Sequence, residues 1–375
     1  MTTNVGISPS QTGGSTENTA KNTAANTVGA VPVQTRGATL PVEITEARTL
    51  VEPALRRAVD ELTPGMRSVS RFHLGWADEQ GRETPGGGGK VLRPALTVLA
   101  ARAVGAEPER AVPAAVAVEL VHNFSLLHDD VMDGDVERRH RPTAWKVFGI
   151  PAAILAGDAM LTLAVEVARR GSTRDSADAV IACLDEAVQQ LITGQTADID
   201  FERRQDVTLP ECLEMVAGKT GALMRCSTAI GAIAVDAPQE AVAELAAFGE
   251  HLGMAFQLVD DLLGIWGSPA VTGKPRMTDL ASRKKSVPVV AALDSGTDAG
   301  ERLREMYFEP DVVDDEERLS RMADLVKLAG GLEWTEAEAD SRIRAAESCL
   351  LRLDAPASVT EALRATAWFV TRRDR

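Results

Sequence analysis

The sequence is poor in cysteine and in aromatic residues, and each shortage excludes a class of protein. Four cysteines stand in 375 residues, and their spacing matches neither a zinc site nor a small disulfide framework. We interpret them as the reduced thiols of a cytoplasmic protein. Phe, Trp and Tyr together make up 4% of the chain, so the aromatic platforms on which nucleic-acid bases stack are not expected.

Basic residues are outnumbered by acidic residues, and the sequence also has no long apolar run. Lys and Arg total 40 against 55 Asp and Glu, which gives a formal net charge of −15. A nucleic-acid binder presents a basic face, so nucleic acid is excluded as a partner. An anionic substrate must be held by local cations or by metal ions. The most apolar stretch, 152–168, is interrupted by Asp158 and Glu166, and no segment reaches the roughly 20 apolar residues that span a membrane.

The first part of the chain, residues 1–42, differs in composition from the rest. It is rich in Thr, Asn, Gly and Ser and has no apolar core of a secretory signal. Such a segment buries too little apolar surface to offset the entropy cost of ordering. We predict a disordered tail at 1–42, which docks on a protein partner or shell or serves as a targeting segment, and a single folded domain at 43–375.

Helical periodicity dominates from Val42 onward. Alternating β-branched runs between Asn-Gly or Asp-Gly turns, typical of strands, are nearly absent. Apolar residues recur at helical spacing in the segments 91–104, 108–135, 151–170, 173–200, 208–235, 238–266, 286–295, 314–330, 334–353 and 357–372. The pattern predicts an all-α protein built as a bundle of long helices.

A cluster of acidic residues follows the mostly apolar run 116–127. Asp129 and Asp133 are four residues apart and share one face of a helix, and Asp130 lies about 100° around it. Clustered carboxylates beside a core repel one another unless a cation neutralises them. Mg²⁺ favours oxygen ligands and shares carboxylates with substrate phosphates. The motif therefore predicts a magnesium site; a solvated acidic helix end is the alternative.

A second pair of aspartates, Asp260 and Asp261, lies within the apolar segment 238–266. Gln257 precedes Asp260 by three residues and lies on the same helix face. Two such pairs on separate helices of a bundle can face each other across a cavity. Together the two motifs predict a site for more than one divalent ion.

Basic residues near these motifs supply charges that attract phosphates. Lys90 and Arg93 are three residues apart at a helix start and can converge on one anion. The preceding glycines are not a nucleotide-binding loop, because Val91 follows the lysine and no strand precedes it. Further candidates are His122, two turns before Asp129, and Arg138, Arg139, Lys219 with Thr220, and Lys274. Singly, each is typical of a surface cation or, for His122, of an interior histidine; as a set they predict two diphosphate pockets beside a magnesium cluster.

These motifs, in this order, resemble the trans-isoprenyl diphosphate synthase (polyprenyl synthetase) family over nearly all of 43–375. The first aspartate motif with its arginine pair resembles the family's DDxxD segment, and the segment 89–94 resembles its GKxxRP segment. The remaining matches are Gly194-Gln195 with Asp198, Lys219-Thr220, Phe256-Gln257, Asp260-Asp261, Thr272-Gly273-Lys274-Pro275, Asp279-Leu280 and Lys285 before Val287-Pro288. A large residue before the first aspartate motif, with no insertion inside that motif, resembles the short-chain members, the geranylgeranyl and farnesyl diphosphate synthases.

The resemblance implies a helical bundle around a deep central cavity, usually in a homodimer. It implies that isopentenyl diphosphate is joined to an allylic diphosphate by ionisation, condensation and elimination. The implied ligands of about three Mg²⁺ ions are Asp129, Asp133 and Asp260, with Asp130 and Asp261 as outer supports. The implied allylic diphosphate ligands are Arg138, Lys219 and Lys274, and the implied isopentenyl diphosphate ligands are Lys90, Arg93, His122 and Arg139. Lys219, Thr220 and Gln257 would be catalytic, the last two directing dipoles at the developing carbocation.

Two positions depart from the family's pattern, and a third position sets an expectation for product length. Gly264 stands where the second motif usually has a third Asp, and activity is expected to survive this change. His140 replaces the Gly that normally follows the arginine pair. Phe124 and Ser125, five and four residues before Asp129, are expected on the cavity wall. A Phe at this position resembles the pattern of short-chain enzymes that make C20 products, and a C15 product is the second expectation. The alternative interpretation is that Phe124 only packs in the core.

Two other functions share parts of this pattern. A terpene cyclase on the same fold ionises a diphosphate without condensing it and has no second diphosphate to bind. The basic set of Lys90, Arg93, His122 and Arg139 therefore favours the synthase. A non-catalytic partner subunit would lack an aspartate pair or the basic set, and both are present in this chain.

Overall fold

The structure, a computed structural model, describes residues 42–84, 91–268, 276–309 and 315–371. The tail predicted at 1–42 lies outside these ranges except for Val42, with which the first helix begins. Lys90 and Lys274, two of the predicted diphosphate ligands, also lie outside the described residues. All described residues belong to one compact unit, 38–375.

Helices make up most of the described chain. In the first half they are α1 (Val42–Asp60), α2 (Pro64–His73), α3 (Leu92–Ala103), α4 (Val112–Met132), α5 (Ala144–Phe148), α6 (Ile150–Gly171) and α7 (Ala177–Arg203). In the second half they are α8 (Leu209–Val216), α9 (Ala222–Ile233), α10 (Gln239–Trp266), α11 (Thr278–Ala281), α12 (Val287–Leu293), α13 (Asp298–Tyr307), α14 (Glu316–Leu328), α15 (Gly331–Arg352) and α16 (Ala357–Thr371). A 3₁₀ turn, Pro108–Ala111, leads into α4, and a π-helical turn, Ala217–Gly221, joins α8 to α9. The predicted all-α class is confirmed.

Two long apolar helices, α4 and α10, carry the aspartate motifs. α4 packs against α6 and α3, and α10 packs against α15 and α9. Leu120 and Leu127 of α4, and Phe248, Leu252 and Leu258 of α10, are almost fully buried. Each buried side chain of this size contributes roughly 1.5–3 kcal/mol of transfer free energy. This burial fixes both helices in the core, so their aspartates are held in defined positions.

Two helical segments, Pro108–Met132 and Ile150–Gly171, are long and apolar enough to cross a membrane by length and composition alone. The sequence reading, which found no segment of that kind, missed them. A core helix passes the same test, and the apolar window of Pro108–Met132 is 72% buried inside the bundle. The corresponding window of α6 is 33% buried, so α6 presents an apolar face to the outside.

Candidate active site

An ion pair between α7 and the π-helical turn is the first element of the site. The Nζ of Lys219 lies 2.5 Å from the Oδ2 of Asp198, and both side chains are largely shielded from solvent. Lys219 belongs to the π-helical turn, and such turns frequently occur at functional sites. Gly194 of α7 allows the two backbones to approach this closely: a Cβ atom there would overlap Lys219 and lie 2.8 Å from the carbonyl carbon of Gly218. The matched Gly194 and Asp198 therefore serve one purpose, the placement of Lys219.

Asp129 and Asp133 lie at the end of α4, near this ion pair. Burial raises the pKa of Asp129 to about 6, while Lys219 opposes the shift and Asp133 adds to it. Partial desolvation also raises the pKa of Asp133, an exposed residue, with Lys219 opposing the shift and Asp198 adding to it. Both acids thus share the field of Lys219, and their ionised forms are disfavoured until more positive charge arrives.

Asp261, the second acid of α10, points into the protein, and its side chain is 2% exposed. Its Oδ1 accepts a hydrogen bond from Gln257 Nε2 at 2.9 Å and lies 3.4 Å from Lys284 Nζ. Its Oδ2 accepts a hydrogen bond from the backbone N–H of Val287, the first residue of α12, at 3.1 Å. Asp261 therefore joins α10 to Lys284 and to the start of α12. Asp260, by contrast, is an exposed residue.

Thr220 and Gln257 link the π-helical turn to α10. The Thr220 hydroxyl donates to the Oε1 of Gln257 at 2.7 Å, which turns the amide nitrogen of Gln257 toward Asp261. Thr220 is buried and Gln257 is half-buried. The structure thus brings together the three residues predicted to be catalytic, since Lys219 precedes Thr220 directly; their roles stay predictions.

Lys284 is a site residue that the sequence reading missed. The motif match assigned Lys285, but that lysine is buried beside the rings of Tyr307 and Phe308. Burial would lower the pKa of Lys284, yet surrounding carboxylates hold it above its usual value. In order of effect they are Asp261, Asp279, Asp198 and Asp260. Two consecutive lysines cannot be told apart by spacing alone. Their contacts separate them, since Lys284 pairs with Asp261 of α10 and Lys285 lies against Tyr307 and Phe308.

One group of charged side chains, here named the acidic cleft, lies within electrostatic reach of both aspartate motifs. Asp198 lies within electrostatic reach of Asp133 from the first motif and of Lys284. Lys284 in turn lies within reach of Asp260 from the second motif. Within the ranges that the structure describes, no group of three His, Cys, Asp or Glu side chains encloses a metal site by itself. A metal in this cleft would therefore need additional ligands from a bound anion.

A group of positive charges lies beside the first aspartate motif. The Nη1 of Arg93 is 3.3 Å from the Nε2 of His122. Burial lowers the pKa of Arg93 to about 10, with Glu119 opposing the shift and Arg139 adding to it. Burial, and then the charges of Arg93 and Arg139, hold the pKa of His122 well below its usual value. Three of the four predicted isopentenyl diphosphate ligands are thus neighbours; the fourth, Lys90, lies outside the described residues.

His73, which the sequence reading did not single out, lies beside this positive group. Burial lowers the pKa of His73 to about 3, and the charges of Arg138 and Arg139 add to the shift, so the imidazole is neutral. A cavity of about 200 Å³ opens beside it, lined by several charged residues. They are Asp130, Arg138, Arg139 and Arg141. Three arginines against one aspartate make this cavity attractive to an anion.

Asp130 supports Arg138. The Nε of Arg138 lies 2.6 Å from the Oδ1 of Asp130, whose side chain is 1% exposed. The guanidinium also acts on Asp129, where it lowers the carboxyl pKa against the effect of burial. Arg138 therefore lies between the aspartate motif and the positive pocket, and the buried Asp130 holds it there.

A short hairpin presents the arginine pair. Residues Glu137–Arg138 pair antiparallel with Arg141–Pro142, and the two loop residues, Arg139 and His140, have φ angles of 53° and 60°. Two-residue hairpin loops with positive φ at both positions favour Asn and Gly. His is one of the few other residues enriched in this left-handed region. The family's Gly at the position of His140 therefore has a conformational reason.

Replacing His140 by Gly is expected to raise the free energy of unfolding by about 0.5–1 kcal/mol. A residue other than Gly pays roughly 1–2 kcal/mol for a left-handed backbone, and the substitution removes this cost. Gly also has more conformational entropy in the unfolded chain, which cancels part of the stabilisation. Chemical denaturation of the variant and the wild type measures the difference. His140→Ala keeps the backbone cost and should show no gain; an equal gain in that variant would contradict the backbone explanation.

Phe124 and Ser125 are both buried in α4. The Phe124 ring meets the ring of His128 edge-on, with centroids 4.8 Å apart. The Ser125 hydroxyl donates to the carbonyl oxygen of His122 at 2.8 Å. Core packing of Phe124 is therefore evident, and the product-length role of these two residues stays a prediction.

Comparison with known proteins identifies the family. The model of the polyprenyl synthetase family matches residues 76–325. A (2E,6E)-farnesyl diphosphate synthase of Mycobacterium tuberculosis is 46% identical over 338 residues, which cover 89% of this chain and 93% of that protein. A geranylgeranyl diphosphate synthase of the same species is 42% identical over 323 residues, covering 86% and 91%. The crystal structure of a polyprenyl synthetase from Streptomyces coelicolor is 48% identical, with a TM-score of 0.84 over 88% of this chain and 99% of that chain.

The fold and the site define an isoprenoid synthase-type enzyme, and the chain belongs to the polyprenyl synthetase family. It is an isoprenyl diphosphate synthase of the short-chain type.

Proposed function

We propose that the enzyme condenses isopentenyl diphosphate with an allylic diphosphate in the cleft between α4 and α10. The supporting observation is the meeting of two aspartate motifs around Lys219 and Lys284, next to a separate positive pocket. One diphosphate would bind at the acidic cleft through metal ions, and the other at the group formed by Arg93, His122 and Arg139. Two adjacent sites for two diphosphates are what this condensation requires.

The residues of the acidic cleft fit Mg²⁺. Asp129, Asp133 and Asp260 offer only oxygen donors, and burial raises the pKa of Asp129 and Asp133, a shift that a divalent cation would reverse. Mg²⁺ binds through one or two carboxylates plus substrate phosphates, which suits aspartates that do not enclose a metal alone. We propose that these three residues hold about three ions when the allylic diphosphate is present. Bound Mg²⁺ would stabilise the charge that develops on the leaving diphosphate.

The protein's own cations assist the same bond cleavage. Lys219 and Arg138 lie next to the aspartates and would contact the leaving diphosphate, as would Lys274. The hydrogen-bonded pair of Thr220 and Gln257 would direct oxygen dipoles at the allylic cation. Groups held in place before the reaction stabilise developing charge without reorganising.

The group of Arg93, His122 and Arg139 would position the second substrate. Arg93, His122 and Arg139, with Lys90, would hold isopentenyl diphosphate so that its double bond attacks the allylic cation. The released diphosphate would take the final proton, so no side chain of the cleft need act as a base. The apolar residues of α4 keep water away from the cation, which water would quench.

For the product, we propose geranylgeranyl diphosphate (C20), because the buried Phe124 lies in the helix turns preceding Asp129 and would limit the growing chain. Farnesyl diphosphate (C15) is the second candidate, and the name of the relative that is 46% identical favours it. Both products fit a short-chain enzyme.

Replacing Phe124 by Ala is expected to lengthen the product by at least one isoprene unit. The smaller side chain would open space that the Phe124 ring fills against His128. Mass spectrometry of the extracted products measures the length. Phe248→Leu is a control for general loosening, because Phe248 is buried in a different apolar cluster; its product should stay unchanged. An unchanged length in Phe124→Ala would remove this role.

Incubation with isopentenyl diphosphate, Mg²⁺ and dimethylallyl, geranyl or farnesyl diphosphate tests the function. A longer prenyl diphosphate is the expected product. Release of diphosphate without a longer product would instead indicate a terpene cyclase. No turnover with any primer would indicate a non-catalytic partner subunit.

We also propose a homodimer in which α6 and α7 face the second copy. Ile154 and Leu155 of α6 and Ile192 of α7 are exposed, and an apolar cavity of about 530 Å³ lies between these helices. Exposed apolar side chains grouped in a patch typically mark an interface. Light scattering should give twice the chain mass of 39.9 kDa, and Leu155→Glu should give the single chain; a monomeric wild type would contradict the proposal.

We propose further that residues 1–42 dock the enzyme on a protein partner or shell. The support is their composition, which catalysis does not need. Deleting them is expected to leave turnover unchanged and to abolish capture by that partner. A collapse of turnover would show that the segment belongs to the catalytic fold.

A further inference from the structure

Two of the four cysteines meet between α7 and α9. The Sγ of Cys183, on α7, lies 3.7 Å from the Sγ of Cys226, on α9, so the two sulfur atoms are in contact. The thiols of Cys212 and Cys349 contact a backbone carbonyl oxygen and a guanidinium group instead. Cys183 and Cys226 therefore form a thiol pair that the cysteine spacing along the chain does not reveal.

The two thiols of this pair differ in exposure and in acidity. Cys183 is half-buried, whereas Cys226 is 2% exposed, so a small oxidant reaches Cys183 first. The hydrogen bond between the thiols lowers the pKa of Cys183, and the charge of Arg225 adds to this effect against burial. The same hydrogen bond, together with burial, holds the pKa of Cys226 well above its usual value. Cys183 is thus the thiol that ionises, and a thiolate is the reactive form of cysteine.

An ion pair holds α7 and α9 together at the level of the thiol pair. The Nη1 of Arg225, next to Cys226, lies 2.9 Å from the Oε1 of Glu186, which follows Cys183 by three residues. A disulfide joins sulfur atoms about 2.0 Å apart, so the two sulfurs need to approach by about 1.7 Å. Cys183 does not line the apolar cavity that marks the proposed dimer face.

We propose that Cys183 and Cys226 form a modification site for hydroperoxides, at which oxidation joins α7 to α9 through a reversible disulfide. With hydrogen peroxide, the Cys183 thiolate attacks one oxygen and the O–O bond breaks. Cys183 becomes a sulfenic acid, and the leaving hydroxide takes up the proton that Cys183 has released. The Cys226 sulfur then attacks the Cys183 sulfur. The S–S bond forms, the S–O bond breaks, and the leaving oxygen takes the proton of Cys226 as a second water.

Two thiols thus lose two electrons and two protons, and one hydrogen peroxide becomes two waters. A dithiol reductant restores both thiols by exchange. The disulfide would close the segment 184–225, which contains the ion pair of Asp198 and Lys219. Gly194 already packs α7 against the backbone of Lys219, and the disulfide would fasten the same two segments at a second point. The site does not depend on the condensation proposed above.

Peptide mass spectrometry after treatment of the full chain with hydrogen peroxide tests the inference. A cross-linked peptide of Cys183 and Cys226 is expected, and titration of the denatured protein should give two free thiols instead of the four of the reduced chain. Dithiothreitol should restore all four. Cys349→Ala is the matched control and should form the same disulfide, whereas Cys183→Ala should not. Peroxide treatment that yields no cross-link between Cys183 and Cys226 would overturn the inference.

Cys226→Ala tests the second step separately. Without Cys226 the sulfenic acid of Cys183 has no thiol to condense with, and it should proceed to the sulfinic acid, which dithiothreitol does not reduce. The wild type should show the disulfide in place of this product. Equal amounts of sulfinic acid on Cys183 in the wild type and in Cys226→Ala would overturn the role of Cys226.

Thermal unfolding shows whether the native packing accommodates the bond. The oxidised wild type should unfold about 3–6 °C above the reduced wild type, because the disulfide restricts a long loop of the unfolded chain. Peroxide should not raise the unfolding temperature of Cys183→Ala. An oxidised wild type that carries the disulfide without unfolding at a higher temperature would show that the bond distorts the helices, and would overturn the claim that the native fold prepares this pair.

Discussion

Replacing Asp261 by Ala is expected to lower the free energy of unfolding by about 3–5 kcal/mol. The carboxylate is almost fully buried and accepts hydrogen bonds from Gln257 and from the N–H of Val287, besides pairing with Lys284. Removing one partner of a buried ion pair leaves the other charge uncompensated, which typically costs this amount. The first N–H of α12 would also lose its acceptor. Chemical denaturation of the ligand-free protein measures the loss.

The neighbouring acid provides the matched control. Asp260 is an exposed residue on the same helix. Asp260→Asn should therefore change the free energy of unfolding by less than about 0.5 kcal/mol, as surface substitutions usually do. The same variant should lose most of its turnover. Equal destabilisation by both substitutions would contradict the division of labour between the two acids.

Replacing Asp129 by Asn is expected to lower kcat by about 10³ while the ligand-free enzyme becomes more stable. A metal-held carboxylate contributes several kcal/mol of charge stabilisation in the transition state, and about 4 kcal/mol corresponds to a factor of 10³. Without ligands, however, burial raises the pKa of Asp129 to about 6, so its ionised form opposes folding. Asn has nearly the same shape without the charge. Steady-state kinetics and thermal unfolding in a chelator measure the two effects.

The gain in stability of Asp129→Asn should depend on pH with a definite sign. The folded-state pKa of about 6 lies above the value of about 4 in the unfolded chain. Below about pH 4 the acid is protonated in both states, and the variant should equal the wild type. The difference should grow between pH 4 and 6 and then stay constant. Asp324→Asn, which changes an exposed acid of α14, should show no such trend; a gain that falls as the pH rises would contradict the prediction.

Much of the site follows from local features of the sequence. The spacing of Asp129 and Asp133 places them on one helix face, and Gln257 precedes Asp260 by less than a turn, because these relations depend only on the helical repeat. The helices themselves follow from apolar periodicity, and their predicted positions agree with α4, α7 and α10. Such inferences need no knowledge of which elements pack together.

Other parts of the site depend on contacts between distant segments. The matched Lys285 turns its side chain to Tyr307 and Phe308, while Lys284 faces the carboxylates. His73, from α2, lies near Arg138, Arg139 and Arg141, which are more than 60 residues away along the chain. No local pattern predicts these neighbours, since they are separated along the chain.

By itself, the sequence determined the all-α class, the two aspartate motifs and the family resemblance, because helix periodicity and motif spacing are local properties of the chain. Only the tertiary structure decided that the buried Asp261 joins α10 to α12 while Asp260 stays exposed, and that Lys284 rather than Lys285 lies among the carboxylates. The reason is physical: burial and steric exclusion depend on what packs against a residue, and that partner is brought in by the fold.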